Sequence, residues 1–421
     1  MLTGRDIILI SSIEWDFNWQ GHQEIASRLA RDGNRVLYIE NMGVRSPGLH
    51  DTKRVAQRFC HWTGSLLDGG VRQVAPNLYV CSPLILPPFG SEIRQQLNLR
   101  LLLPLIRRVV RNLSFDPDII WTFLPTDAAF ALINMLRKPQ GLTIYYCIAD
   151  FAELVSHPED ILQSERSIIR MSDLIFAQCS QLAEHCAHEG KRVEVFPFGV
   201  NLDLFTKRRG HASGPAEKSW KVAVERDASP NLMSAPSIPV IGYVGAIHKH
   251  FDVEMLAEMA RARPDWSWVL IGPLATSFQG LKRIPNVYLT GPKPHQELPA
   301  YIRRFDVGIV PYLRNSYTAT VVPTKILEYL AMGKPVVSTS LPEVVAFNKK
   351  HKVITLSANC PLEFSASIER ALTSIGEEDY GNHRRKVAAL HDWEVRYERM
   401  SYLIERELRN KALHIYSTES A

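Results

Sequence analysis

An alternation that runs twice constrains this chain more than anything else in it. Short β-branched runs alternate with segments of helical period from the first residues onward, the pattern fails between about residues 206 and 239, and it then restarts. In the first stretch, residues 7–10 read as a strand. They are followed by a helical segment, 22–31, whose Ile25, Ala26, Leu29 and Ala30 form an apolar stripe closed by Gly33, and then by a second strand at 35–40. Further strands are expected at 77–81, 119–124, 142–148, 174–178 and 193–196. The second stretch offers strands at 240–244, 268–271, 287–289, 307–311, 336–338 and 353–356, with helices at 253–261, 299–304 and 325–332. Strands joined through helices pair in parallel and are covered on both faces. Sheets of that kind bind ligands beyond the carboxyl ends of their strands. The expected fold is α/β, with two Rossmann-like units: residues 1–205, a linker or excursion loop at 206–237, residues 238–392, and a C-terminal crossover helix and tail at 393–421.

Composition agrees with this division. The 421 residues are 46% hydrophobic and 22% charged, which excludes a largely disordered, collagen-like or polytopic membrane chain. Residues 1–190 carry 18 Lys and Arg against 20 Asp and Glu, so the net charge of +5 comes from the second half. That excess is too small to argue for nucleic acid and suits an anionic small molecule. Cys60, Cys81, Cys147, Cys179, Cys186 and Cys360 show neither a CxxC pair nor zinc spacing. They read as small buried hydrophobes in a reducing cytoplasm. No signal-peptide core precedes the first strand, and no apolar run approaches the ~18 residues of a spanning helix. A cytoplasmic protein, or one peripheral on the inner face of the cell membrane, is expected.

Two segments carry chemistry. In Pro323-Thr324-Lys325-Ile326-Leu327-Glu328-Tyr329-Leu330-Ala331-Met332-Gly333-Lys334-Pro335, Pro323 suits a helix start, Gly333 a left-handed cap, and Pro335 a stop. The N–H groups of Thr324 and Lys325 would point past the sheet as unpaired donors, the geometry of a phosphate site, with a lysine charge beside them. Glu328, three residues on, could accept both hydroxyls of a ribose. A Lys325–Glu328 surface pair is the plainer alternative. In Ile241-Gly242-Tyr243-Val244-Gly245-Ala246-Ile247-His248, a strand ends in a glycine that would let a phosphate approach the backbone. It is neither GxGxxG nor a Walker A loop, and a tight turn capped by Asp252 explains it equally.

These segments, in order with WVLIGP, PNVYLTG and ELPAYIRRFDVGIVPY, resemble the donor-binding domain of GT-B glycosyltransferases, in the retaining group 1 superfamily that includes glycogen and sucrose synthases. The chain is most similar to the bacterial polysaccharide branch, with teichuronic-acid-type transferases as relatives. In the first half, Trp19-Gln20-Gly21-His22-Gln23, Tyr145-Tyr146-Cys147-Ile148-Ala149-Asp150 and Phe196-Pro197-Phe198-Gly199 share the likeness, as does the closing Trp393-Glu394 helix. The resemblance implies that residues 1–205 bind the acceptor, that 238–392 bind the nucleotide sugar, and that Gly245, Thr324, Lys325 and Glu328 hold the donor. It also implies transfer with retention. Glu328 matches the second of the family's paired glutamates; the first, eight residues earlier, is replaced by Thr320, and Ala246 stands where arginine is usual.

On the acceptor side, Asp150 at the end of a strand is the candidate to bond or deprotonate the acceptor hydroxyl, or else a helix cap. Asn18, Gly21 and His22, after the first strand, are acceptor-side candidates with exposed or capping roles as the alternative. Asp116-Pro117-Asp118 has a metal-binding DxD form but precedes a strand, where it reads as a turn. No metal and no cofactor are expected beyond the nucleotide-diphosphate sugar itself. Residues 94–113 form a helix with Arg100, Arg107, Arg108 and Arg111 on one arc and Leu99, Leu102, Leu103, Leu105, Ile106, Val109, Val110 and Leu113 opposite. It suits either an anionic membrane surface or a core helix with a solvated face, restarted at Pro104. The expected function is transfer of a hexosyl-type group from a nucleotide-diphosphate sugar to a saccharide or lipid-linked saccharide in surface polysaccharide synthesis. A nucleotide-sugar 2-epimerase and a non-catalytic nucleotide-sugar binder are the alternatives.

Overall fold

A computed structural model of the chain describes residues 2–16, 19–40, 70–83, 85, 92–155, 157–206, 238–274, 279–373 and 378–419. The chain divides into two units, Met1–Pro197 with Arg396–Ala421, and Phe198–Val395.

The first unit is built on β1 (Asp6–Ile10), β2 (Arg35–Ile39), β3 (Val71–Ala75), β4 (Leu78–Cys81), β5 (Ile119–Thr122), β6 (Leu142–Cys147), β7 (Leu174–Ala177) and β8 (Val193–Val195). They lie in the order β3-β4-β2-β1-β5-β6-β7-β8. All neighbours are parallel except β3 and β4. β5 and β6 are buried along their whole length, and β1 and β2 at all but the first residue. Strands covered on both faces read as continuous apolar runs, which is why the sequence announces them. β3 was not expected. Its Val71-Arg72-Gln73-Val74-Ala75 is half-exposed at the sheet's edge, and it joins β4 through a turn in which Asn77 has φ 61°. The helix Trp393–Glu419 ends in this unit: Lys411 Nζ donates to the Asp173 carboxylate at 2.9 Å and to the Gly141 carbonyl at 2.7 Å. Of the cysteines, Cys81, Cys147, Cys179 and Cys186 are buried free thiols; Cys360, in the second unit, is partly buried and free, and Cys60 lies outside the described residues.

The second unit contains β9 (Val240–Val244), β10 (Ser267–Ile271), β11 (Val287–Leu289), β12 (Val307–Val310), β13 (Val336–Thr339) and β14 (Thr355–Ser357), all parallel, in the order β11-β10-β9-β12-β13-β14. Residues 198–205, assigned to the first domain from sequence, pack here instead, with Val200 and Phe205 in the core. Val200 pairs with Asp392, its N–H donating to the His391 carbonyl at 3.0 Å. The expected linker at 206–237 falls, apart from Thr206, outside the described residues.

Two turns of the 94–113 reading change. The segment is a helix at Glu92–Leu97, a π-helical turn at Asn98–Leu102 and a helix at Leu103–Asn112. Pro104 supplies no N–H for the turn before it, and the wider π spacing takes up the mismatch. The phase shifts: Asn98 is buried, while Leu99 and Leu105, expected on the packed side, are exposed. Leu103, Ile106, Val109 and Val110 form the buried stripe. Among the described residues no helix is long and apolar enough to cross a membrane.

Candidate active site

In each sheet the strand order reverses once, between β1 and β5 in the first and between β9 and β12 in the second, and crevices form at such points. β9 and β12 pair only at Val307 with Ile241 and Gly308 with Gly242. Beyond that pair the Val244 N–H finds its acceptor in the Tyr329 hydroxyl, 2.8 Å away. Gly308 makes this contact available, because a Cβ there would lie 2.4 Å from the Tyr329 ring. The next residue, Gly245, has φ 138° and donates its N–H to the Ile271 carbonyl at 2.8 Å. A Cβ on Gly245 would stand 2.9 Å from Lys325 Cε and 3.0 Å from its Nζ, so the lysine lies directly against the glycine backbone.

Lys325 comes from the helix Thr324–Ala331, entered through Pro323 and closed by Gly333 at φ 73°, with the Lys334 N–H donating to the Tyr329 carbonyl at 2.9 Å. Ile326, Leu327, Tyr329, Leu330 and Ala331 bury its inner face. The first turn therefore meets the crevice, and its leading N–H groups have no partner within the helix. The ammonium of Lys325 donates to the Tyr312 hydroxyl and stands 4.9 and 4.7 Å from the ring centroids of Tyr243 and Tyr312. Tyr243 in turn donates to the Ala246 carbonyl at 2.9 Å, with its oxygen 3.2 Å from that of Tyr312. Burial raises the Tyr243 hydroxyl well above the usual range, so it stays neutral. Ring faces and hydroxyls hold the ammonium without cancelling its charge.

One turn along the helix, Glu328 has its side chain 14% exposed and places Oε1 3.3 Å from Nε2 of His295. The surface pair of Lys325 with Glu328 does not form: Lys325 turns to the tyrosines and Glu328 to His295. Thr324 is half-buried beside them. Thr320 caps the short helix Ser316–Ala319 and donates to the Tyr317 carbonyl at 3.2 Å. Asp252 caps the helix Val253–Ala262, accepting from the Met255 N–H at 3.0 Å.

The first unit treats its candidates differently. Asp150, past the end of β6, accepts from the Ala152 N–H at 3.0 Å and so anchors the following 3-10 turn, Ala152–Leu154. Gly21 and His22 are not in a loop; they open the helix Gly21–Arg31 and are buried. His22 Nε2 lies 3.2 Å from the Ser12 hydroxyl and its ring packs 4.2 Å from Phe123. Burial lowers its pKa to about 3, so the imidazole is neutral. Asn18 lies outside the described residues. Near Asp150 lies a further network that no sequence pattern marks, in which Glu165 accepts from the Tyr145 hydroxyl at 2.5 Å and pairs with His185 at 2.9 Å. The hydrogen bond to Glu165 raises His185 to about 9. Asp116 and Asp118 are bound into the start of β5: the Asp6 N–H donates to Asp118 at 3.2 Å and the Asp116 N–H to Asp6 at 2.8 Å. A cavity of about 540 Å³ bordered by Ile238, Arg261, Ser267, Arg283 and Asn286 lies at the amino ends of β9–β11, the wrong end of the sheet for this crevice.

The structure brings Gly245 and Lys325 together with Glu328 one turn away, and it adds Tyr243, Tyr312, Tyr329 and His295, which sequence reasoning did not single out. Gly308 inside a strand was a readable signal of a close approach.

Comparison with known proteins covers the same ground. The description "Glycosyl transferases group 1" matches residues 238–374. The chain is 38% identical over 291 residues to the putative teichuronic acid biosynthesis glycosyltransferase TuaH of Bacillus subtilis, spanning 65% of this chain and 68% of that one. Among solved structures it is similar to sucrose-phosphate synthase from Thermosynechococcus elongatus, with TM-score 0.66 and 16% identity over 96% of this chain and 99% of that one. It is also similar to Anabaena HepE in complex with UDP, with TM-score 0.60 and 13% identity over 95% and 100% of the two chains. A third is WaaG, a glycosyltransferase of lipopolysaccharide biosynthesis, with TM-score 0.61 and 13% identity over 94% and 99%. At such identities the structural likeness speaks for the fold, which is GT-B. The sequence likeness goes further: with 38% identity across two thirds of TuaH and the family's pattern lying over Gly245, Lys325 and Glu328, the chain belongs to the glycosyl transferase group 1 family and is a glycosyltransferase.

Proposed function

We propose that the protein transfers a hexosyl-type group from a nucleotide-diphosphate sugar to a saccharide or lipid-linked saccharide, with retention, in the synthesis of a cell-surface polysaccharide. The observation that carries the reading is the placement of Lys325 against Gly245 at the reversal point of the second sheet, with Glu328 one turn away. A departing nucleoside diphosphate gathers negative charge on its β-phosphate. Helix-terminal N–H groups and the ammonium of Lys325, fixed beforehand by Tyr243 and Tyr312, stabilise that charge where it grows. Gly245 lets the diphosphate approach the backbone, Thr324 adds a hydroxyl, and Glu328 accepts from the ribose. Asp150 is the acceptor-side group, and Gly21 and His22, buried at the start of their helix, serve the acceptor side through packing. The relatives' names favour this setting: TuaH is described as a putative teichuronic acid biosynthesis glycosyltransferase, and HepE is solved in complex with UDP.

Thr320 and Ala246 favour a second reading, a nucleotide-sugar binder without turnover. Incubation with UDP- and GDP-sugars in the absence of acceptor separates them. A transferase releases nucleoside diphosphate slowly, an epimerase alters the sugar, and a binder does neither. Release with no change of sugar supports the proposal, and its absence in the presence of bound nucleotide removes it. Glu328→Ala lowers nucleotide affinity by about fivefold or more, the worth of a charge-assisted hydrogen bond.

The acceptor side of the reading includes an anionic membrane surface. Ile93, Leu101 and Leu105 are 74%, 60% and 46% exposed on the segment that also presents Arg94, Arg100, Arg107, Arg108 and Arg111 to solvent. Exposed leucines among arginines match an interface of acyl chains and acidic head groups. Replacing Ile93 and Leu101 with Ser, or Arg107, Arg108 and Arg111 with Gln, lowers co-sedimentation with anionic vesicles; unchanged binding in both sets excludes this surface.

A further inference from the structure

We infer that His295 is a positioning residue for the nucleotide's ribose, holding the Glu328 carboxylate so that the site discriminates a ribonucleotide from its 2′-deoxy counterpart. The inference rests on the proposed donor site and goes beyond it in naming what aims the carboxylate.

A glutamate on the first turns of a helix has three rotatable bonds, and a long side chain loses binding energy for each rotamer that must be frozen. Glu328 is not left to rotate. Its Oε1 lies 3.3 Å from His295 Nε2, and both side chains are nearly buried, 14% and 15% exposed, in a place where a hydrogen bond is little diluted by water. His295 is itself fixed. It opens a 3-10 turn, His295–Glu297, directly after Pro294, and the ring of Phe205 meets its own edge-on at 5.6 Å. Phe205 is 3% exposed and belongs to the core of this unit. A rigid aromatic wall thus sets the imidazole, and the imidazole sets one carboxylate oxygen. With Oε1 engaged by the imidazole, the second oxygen, Oε2, is the one that serves the ribose. A carboxylate aimed in this way gains more from a ribose hydroxyl than one that must be ordered at the moment of binding, and its reward depends on that hydroxyl being present.

The two residues are 33 apart in sequence and come from different elements, the turn after β11 and the Thr324–Ala331 helix. Nothing in either local pattern announces the pair.

The test is a comparison of dissociation constants by calorimetry for a ribonucleoside diphosphate and its 2′-deoxy form, using whichever of UDP and GDP the unmodified chain binds more tightly. The unmodified protein favours the ribonucleotide by about tenfold, and His295→Ala narrows that ratio severalfold, mainly by weakening the ribonucleotide. His295→Gln, whose amide nitrogen reaches the position of Nε2, keeps most of it. Should His295→Ala fail to fold, His295→Leu takes its place, filling the space beside Phe205 without a donor. An equal loss for both nucleotides marks a merely structural role and overturns the inference. So does an unchanged ratio in His295→Ala where Glu328→Ala abolishes it, and in that case the ribose assignment of Glu328 survives. An unchanged ratio in Glu328→Ala as well removes the ribose assignment and the inference together.

Discussion

The two sheets reverse their strand order at equivalent points, yet the residues placed there are chemically opposite. At the β9–β12 corner the chain leaves a glycine at φ 138°, a lysine ammonium against it, and hydroxyls that hold the charge without cancelling it. At the β1–β5 corner several of the described polar groups are turned inward and paired. Ser11 and Tyr38 share a 2.6 Å hydrogen bond, Glu40 accepts from the Trp15 N–H at 2.9 Å, Gln23 donates to the Trp15 carbonyl at 3.2 Å, and His22 sits neutral against Phe123. The difference teaches that topology fixes where a ligand can lie, while the few residues that leave the strands fix its charge. One corner holds a cation among ring faces and hydroxyls; at the other the charged and polar groups named are paired with the fold itself.

The largest effect that could break this contrast is at Lys325. Lys325→Met keeps the length of the side chain and its packing on Gly245 but removes the charge. Turnover falls by about 100- to 1000-fold, the usual loss for a preorganised donor to a developing oxyanion. Measured as release of nucleoside diphosphate under single-turnover conditions, a loss of less than tenfold would mean that the helix N–H groups alone carry the diphosphate. The corner would then be polar rather than cationic.

A smaller effect probes how the corner is held open. Tyr329→Phe leaves the Val244 N–H buried without its acceptor, which costs about 1–3 kcal/mol. Denaturant unfolding of the second unit reads that cost directly. No change in stability would show that water reaches Val244, and that the corner is wetter than its packing suggests.

How much of this was legible before the structure depends on whether a feature is local. The strands of both sheets were readable because burial on two faces demands unbroken apolar runs; β3 was not, because an edge strand with Arg72 and Gln73 carries no such signature. Pro323, Gly333 and the spacing of Lys325 and Glu328 are one helix's own punctuation, so that helix and its charged first turn could be placed from sequence. Tyr243, Tyr312 and Tyr329 could not be told from core aromatics, since their hydroxyls find partners up to 85 residues away. His22 misled for the same reason in reverse. A histidine after a strand invites a functional role, and only the position of Phe123, a hundred residues on, shows that it is packed. The phase of residues 92–112 was lost because no propensity marks a π turn.

The smallest effect sharpens the contrast from the neutral side. His22 titrates at about 3 in the folded chain because burial disfavours its charged form, against 6.5 when the chain is open. Below pH 6.5 the unfolded chain takes up a proton that the folded one refuses, so the stability His22 contributes is complete above that pH and is lost progressively as pH falls toward 3. Between pH 7 and 5.5 the loss from this one group is about 1 kcal/mol. His22→Gln can keep a polar partner for Ser12 but has no proton to gain. Amide exchange in β1 and β5 should then show less acid sensitivity than in the unmodified protein, while β9 and β12 keep theirs and serve as the internal reference. If the first sheet's acid response is the same in both proteins, His22 is reached by water and charges freely. The β1–β5 corner would then be wet where it is packed, and the contrast between a corner whose polar groups are paired inside the fold and one that holds a cation would fail.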